Sequence, residues 1–242
     1  MYVLSQQREF GQGILFTFTN YVYWLLLTNV YFIFANVIFI FFFMTLKPTF
    51  SNIIIYFLAL IPSGPAITAL CYSMDKLVRT KELSPTRDFF YGYKTNIKAT
   101  FSSWLIILVV FFILLIDLQY FRNSTTEMGQ ILSIVIFILS IMWTIISLNA
   151  MLINSRFKFR TRDMFKLAVY YSFRKFKSTI GGILILFILG FLTMVTTDFL
   201  VIFVSSIVGY LMMLNSKEIL TDIQENFVQK ETSVDGEVGD PL

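Results

Sequence analysis

The stretch KLVRTKELSPTRDFFYGYKTNIK, residues 76–98, decides the fold. It holds six Lys and Arg residues and is bordered on both sides by long apolar runs. A second basic stretch repeats the arrangement, so that segments 72–98 and 153–177 together contain fourteen of the 19 cationic residues. Lys and Arg in short loops are retained on the cytoplasmic side of a bilayer. Two such loops between apolar runs therefore mark an integral membrane protein with both loops on one side.

Composition agrees with that reading. The 242 residues are 57% hydrophobic, 18% aromatic and 14% charged, with a mean hydropathy of +0.74; a soluble domain carries about 25% charged residues. The 28 Phe residues suit lipid, where they need no hydrogen-bond partner. The net charge of +4 comes from the two loops, so anionic lipid headgroups are the expected counterpart and nucleic acid is not. Cys71 is the single cysteine, which excludes an internal disulfide and a cysteine-based metal cluster. Histidine, the commonest metal ligand and general base, is absent. No catalytic residue, metal or cofactor is expected, and Asp88 with Glu82 reads as ordinary solvated charge. The polar, mixed first 13 residues suggest no cleavable signal peptide.

The expected architecture is all-α: a polytopic transmembrane helical bundle of about six spans, with two cytoplasmic interfacial amphipathic helices. A span needs about 20 apolar residues. The first runs over 21–46 and ends at Lys47-Pro48, because proline cannot continue a helix. The second, 50–70, is interrupted by Pro62-Ser63-Gly64-Pro65 and continues into the cytoplasm as a helix over 66–78. The third covers 101–118 and the fourth 130–152. The stretch 179–214 is too long for one span, and Thr196-Thr197-Asp198 divides it into a hairpin of two. With the basic loops inside, both termini are cytoplasmic. The chain then divides into a cytoplasmic segment 1–20, a transmembrane domain 21–216 and an acidic tail 217–242. The tail has seven carboxylates against two cations, an apolar stripe of Leu220, Ile223 and Phe227 extending the last helix, and expected disorder from Glu231.

Both basic loops carry helix-start signals. Ser84-Pro85 combines an N-cap with a first-turn proline, and Thr161 is an N-cap with Asp163 in the first turn. Thr86-Arg87-Asp88-Phe89-Phe90 parallels Thr161-Arg162-Asp163-Met164-Phe165, which suggests two parallel repeats. Phe89, Tyr93 and Ile97 share a helical face, as Phe165, Val169 and Phe176 nearly do. An amphipathic helix of this kind lies in the interface, aromatic side down, basic side toward headgroups or a partner. The candidate docking residues are Arg87, Phe89, Phe90, Tyr93, Lys94 and Lys98 in the first loop, and Arg162, Phe165 and Lys166 in the second. The break at Pro62, Gly64 and Pro65 reads either as a kink held by its neighbours or as a hinge or exposed-backbone ligand site. Asn29, Asn36 and Asn149 are the amides within the spans, and Asn29 and Asn36 read as interhelical hydrogen bonds, each contributing about 0.6–2 kcal/mol. Ser178/Gly182 and Ser205/Gly209 allow close helix approach within the bundle.

The run from Pro62 to Arg79, PSGPAITALCYSMDKLVR, is followed by Arg87-Asp88-Phe89-Phe90, Tyr93-Lys94, Asn96-Ile97-Lys98 and Trp104. These residues closely resemble the YesL-like family of bacterial membrane proteins. Phe157-Lys158-Phe159 and Phe165-Lys166 are similar to the family's second half, so that the likeness covers roughly 15–215. The chain departs from the family by a longer segment between Asn29 and Pro62 and by its acidic tail. The resemblance implies a plasma-membrane protein of a Gram-positive bacterium, serving as a non-catalytic accessory or regulatory subunit of a carbohydrate (oligosaccharide) ABC importer and docking its permease or ATPase. An autonomous small-solute transporter or channel, and a membrane sensor partner of a two-component kinase, are the alternatives. If Phe89 and Tyr93 are the anchors, Phe89→Ala with Tyr93→Ala should weaken partner retention in a pull-down without unfolding the spans, each losing on the order of 1–3 kcal/mol of apolar contact.

Overall fold

A computed structural model describes residues 13–47, 49–195 and 199–228. Among them the chain is helical, with no strand. The elements are α1 (Ile14–Ala35), α2 (Val37–Thr45), a 3-10 turn (Phe50–Asn52), α3 (Ile53–Leu60), α4 (Ser63–Thr80), α5 (Pro85–Arg122), α6 (Glu127–Arg156), α7 (Thr161–Arg174), α8 (Phe176–Val195), α9 (Phe199–Asn215) and α10 (Lys217–Ile223), followed by one π turn (Gln224–Val228). The segment Thr100–Arg122 of α5 and the whole of α6 are each long and apolar enough to cross a bilayer. Three further helix pairs qualify if each bent pair counts as one span, which gives two to five candidate spans. The large apolar residues exposed on these helices, among them Phe137, Ile138, Phe187 and Phe191, fit a lipid-facing surface.

The first expected span is not one straight helix. It starts at Ile14 and turns by 71° between α1 and α2. The cause is Asn36: its side-chain amide donates to the Phe32 carbonyl at 2.8 Å, while its backbone N–H is shared between Phe32 and Ile33. Asparagine side chains compete with the helical ladder in this way. α2 then packs on α3, and the Tyr56 hydroxyl donates to the Leu46 carbonyl across the link at 2.6 Å.

The second segment breaks where the prolines place it, with a bend of 55° between 50–60 and α4. α4 runs on to Thr80 and ends at Lys81 in the left-handed conformation (φ 61°), the usual way to close a helix. Most of α4 is buried, because α1, α5, α6 and α9 surround it. Small residues make room: α9 reaches Leu70 and Met74 of α4 at Gly209.

The first basic loop does not hold a separate interfacial helix, contrary to the sequence expectation. Its helix is the opening part of α5, which runs unbroken for 38 residues. No Gly or Pro separates Lys94 from the apolar part of α5, so nothing forces a stop. The second loop does hold its own helix: α7 meets α8 at Lys175 with a bend of 96°. The two basic segments therefore start alike and continue differently, and the expected repeat does not extend past their first turns. The turn expected at 196–198 and the tail from 229 lie outside the described residues, as do 1–12 and the side chain of Lys98.

Phe89 faces inward with 1% exposure, packed 6.0 Å from the Tyr31 ring and stacked on Tyr93 at 6.5 Å. Its neighbour Phe90 is 54% exposed. Phe89→Ala should therefore destabilise the bundle by about 3–5 kcal/mol, read as a lowered thermal midpoint of the detergent-solubilised protein. Phe90→Ala removes an exposed ring that still lies 5.3 Å from the Tyr31 ring, and should cost much less, about 0.5–1.5 kcal/mol.

Candidate functional site

The cationic segments converge on one end of the bundle, where α4 finishes, α5 starts, α6 finishes, and α7 and α10 pack across. Two carboxylates are buried there. Asp88 accepts two hydrogen bonds from Lys76 Nζ, at 2.7 and 2.8 Å, and one from the Ser84 backbone N–H at 2.9 Å. It thus joins α4 to α5 and caps the start of α5, in the manner of the acidic member of a capping box. Asp75 accepts from Arg79 Nε at 2.8 Å and lies 3.7 Å from Arg156 Nη1, which joins α4 to α6. Arg156 also donates to the Gln224 side chain and lies over the Phe157 ring. Asp88 is 3% exposed and so is Asp75; the reading of Asp88 as solvated charge is corrected. Buried charges are costly unless they are paired and hydrogen-bonded, as both are here.

The chain's last described segment is clasped to the same end. Ile219, Leu220 and Ile223 are almost wholly buried, while Phe227 is exposed, so the inward stripe is shifted from the one read in the sequence. The Tyr171 hydroxyl donates to the Asp222 carboxylate. Burial, and then that hydrogen bond, push the Tyr171 hydroxyl above the usual tyrosine range, so it keeps the proton it donates. α7, which carries Tyr171, lies across this end rather than along the spans. Its inward face is Met164, Leu167, Ala168, Tyr171 and Ser172, not the face of Val169 and Phe176.

The candidate docking residues separate accordingly. Arg87, Phe90 and Lys94 are exposed and, at spacings of three and four, occupy one face of α5. Arg162 and Lys166 are exposed on α7, and Lys158 and Arg160 on the link before it. Phe89 is buried, Tyr93 is half-buried against it, and Phe165 stacks on Trp143 at 5.8 Å. Those three hold the bundle together and are not free to anchor a partner.

At the break, Ser63, Gly64 and Pro65 are buried in the first turn of α4. Backbone N–H groups there have no helical acceptor, so Pro65 removes no bond. The Trp104 indole N–H donates to the Leu60 carbonyl at 2.8 Å, supplying a partner at the end of α3. A Cβ on Gly64 would meet Trp104 Cγ at 2.3 Å, so only glycine admits the ring. Of the spanning asparagines, Asn29 accepts from the Ser206 backbone N–H of α9 at 3.2 Å and Asn149 donates to Ser172 Oγ at 2.8 Å. Asn36 bonds within its own helix instead. Asn154, not singled out in the sequence, donates to Thr100 Oγ1 at 3.0 Å and ties α6 to α5. Asn215 and Ser178 exchange bonds between α9 and α8, bringing Asn215 Oδ1 within 2.1 Å of where a Cβ on Gly181 would stand.

Beside the break lies a cavity of about 380 Å³ among α1, α4, α5, α6, α8 and α9. Trp104, Ile67, Cys71, Phe111, Ser147 and Leu186 are on its wall, which is almost entirely apolar. The break borders this space through Trp104 and Ile67; Pro62, Gly64 and Pro65 are not among its lining residues. Among the described residues, no three of Cys, Asp and Glu gather as a metal-binding set.

Apolar helices long enough to span, joined to a cationic end, define a helical membrane protein. Residues 22–118 carry a domain matching the family described as "Protein of unknown function, DUF624", consistent with the YesL-like resemblance. The match runs from α1 to near the end of α5 and so contains the break, Trp104 and both buried carboxylates. No curated protein and no solved structure matches the chain.

The buried ion pairs and the exposed ones should differ in weight. Lys76→Met leaves Asp88 buried with only the Ser84 N–H, and stability should fall by about 3–5 kcal/mol. Lys166, 3.8 Å from the half-exposed Asp163, belongs to the class of surface pairs worth about 0–1 kcal/mol. Thermal unfolding of Lys76→Met and Lys166→Met in the same detergent compares them.

Proposed function

We propose that this chain is a non-catalytic membrane subunit whose basic end docks a partner assembly at the cytoplasmic face. Following the YesL-like resemblance, the partner is the permease or ATPase of an oligosaccharide ABC importer. The supporting observation is the exposed face of Arg87, Phe90 and Lys94 on α5, together with exposed Arg162 and Lys166 on α7. This face stands on helices locked by the pairs at Asp75 and Asp88, and a surface that does not reorganise loses less ordering entropy on binding. In the proposed topology six spans cross a bacterial plasma membrane: α1–α2, α3–α4, α5, α6, α8 and α9. The positive-inside rule then puts the basic end and both termini in the cytoplasm, where anionic headgroups also reach the exposed cations.

A second reading, an autonomous transporter, draws on the cavity beside the helix break. Its wall offers an oligosaccharide few hydrogen-bond partners, which favours an apolar solute over a sugar under that reading.

The test is a mild-detergent pull-down of the tagged full chain from its host grown on a complex glycan. Stoichiometric recovery of importer permease or ATPase is expected. Arg87→Glu with Phe90→Ala and Lys94→Glu should lower that recovery at least tenfold, roughly 1.4 kcal/mol or more of binding, with a thermal midpoint no lower than that of Phe90→Ala alone. Recovery of a histidine kinase instead would move the partner to a two-component system. The chain alone, with the importer present in the membranes, would overturn the docking role.

A further inference from the structure

The cavity at the centre of the bundle has a chemistry that the docking reading does not use. Its volume of about 380 Å³ lies within the range of small-molecule sites, about 300–1,000 Å³. It is more than twice the dry apolar cavity of about 150 Å³ that accepts benzene. Leu70, Phe111, Leu148, Leu186 and Leu189 dominate the wall, and no charged side chain lines it among the described residues. Water would need two to four polar partners there, and the wall does not offer them.

One polar atom on the wall stands out. Several helix hydroxyls in the bundle bond back to the carbonyl four residues earlier: Ser73 to Ala69, Ser140 to Ile136, Thr144 to Ser140. Ser147, one turn beyond Thr144, does not. It is buried at 6% exposure, lines the cavity, and its Oγ has no partner. Ser63 and Thr68 of α4 are also buried without a partner but do not line the cavity. A buried hydroxyl without a partner carries a desolvation penalty, which a ligand oxygen placed against it would relieve. Ser147 precedes Arg156, the end of α6, by nine residues, roughly 14 Å at 1.5 Å per residue. That is close to half of a hydrocarbon core about 30 Å thick, a depth where a charged ligand group is costly.

We propose that this cavity binds a single-chain amphipath drawn from the bilayer: one hydrocarbon chain carrying one uncharged oxygen, which hydrogen-bonds Ser147. The apolar wall takes the chain, and the unpartnered Ser147 hydroxyl, one of three hydroxyl side chains on the wall with Thr144 and Ser205, selects the oxygen. The site needs no water-filled path, because the ligand and the cavity share the solvent in which the protein sits. The proposal stands independently of the docking role at the basic end.

The experiment uses the full chain in lipid nanodiscs and a diazirine-bearing decanol as probe, with adducts mapped by mass spectrometry. Saturable adducts are expected on wall residues such as Met151 and Met212, displaced by unlabelled decanol more readily than by decane. Leu186→Trp fills the cavity and should cut wall labelling at least tenfold at an unchanged thermal midpoint; Leu189→Phe serves if that variant does not fold. Ser147→Ala should weaken decanol binding about three- to tenfold, the net worth of one hydrogen bond. Non-saturable labelling confined to lipid-facing positions such as Phe137 and Phe187 would overturn the site. So would wall labelling that survives both filling variants. Equal decanol affinity in Ser147→Ala would overturn the assignment of an oxygen-bearing ligand.

Discussion

The bond from the Trp104 indole to the Leu60 carbonyl is the interaction on which the arrangement of this bundle depends. A helix cannot end inside an apolar bundle unless its last carbonyls find partners, since no water reaches them. Trp104 provides one, and Gly64 leaves the space for its ring. The chain can then bend by 55° and send α4 through the middle of the molecule. Because α4 is surrounded, it carries small residues, Ala66, Ala69 and Ser73, on faces that a peripheral span would fill with Leu or Phe. The 22–118 segment that matches the family contains every part of this device.

The polar end solves a related problem with charge. Bringing α4, α5 and α6 together there buries two carboxylates, which must find partners to offset the loss of water. Asp88 answers with Lys76 and a capped helix start; Asp75 answers with Arg79 and Arg156. Pairs of this kind add little net stability compared with apolar packing, but an unpaired member is costly. Their effect is to hold the helices in one relation, and the cations left over face outward in a fixed pattern. The proposed docking face and the ligand cavity occupy different levels of the bundle, yet α5 contributes to both. An occupant of the cavity would touch Leu70 and Cys71 of α4, one turn from Asp75, whose pairs with Arg79 and Arg156 hold the basic end together.

Much of the architecture was legible from residues alone. Proline, glycine and the run lengths of apolar residues act locally, so the break at 62–65, the positions of α5 and α6, and the single basic end could be read directly. The bend at Asn36 was not, because an asparagine in an apolar run looks the same whether it bonds to a neighbour, as Asn29 does, or to its own helix. The basic loops misled for a different reason. Phe89 and Tyr93 have the spacing of an interfacial anchor, but the same four-residue spacing fits a helix face that packs on Tyr31 and the core. Periodicity says that a face is apolar; it does not say whether lipid or protein covers it.

The sequence by itself determined that this is a helical membrane protein with its cations gathered on one side, because apolar length and charge position are properties of single segments. Only the tertiary structure decided which polar groups are buried and who partners them. Asp75 meets Arg156 across 81 positions of chain, Trp104 reaches Leu60 across 44, and Ser147 lines a cavity to which six helices contribute. Each of these depends on how separate helices pack, and packing in a bilayer is set by shape and by hydrogen-bond satisfaction rather than by hydrophobicity, which lipid and protein interiors share.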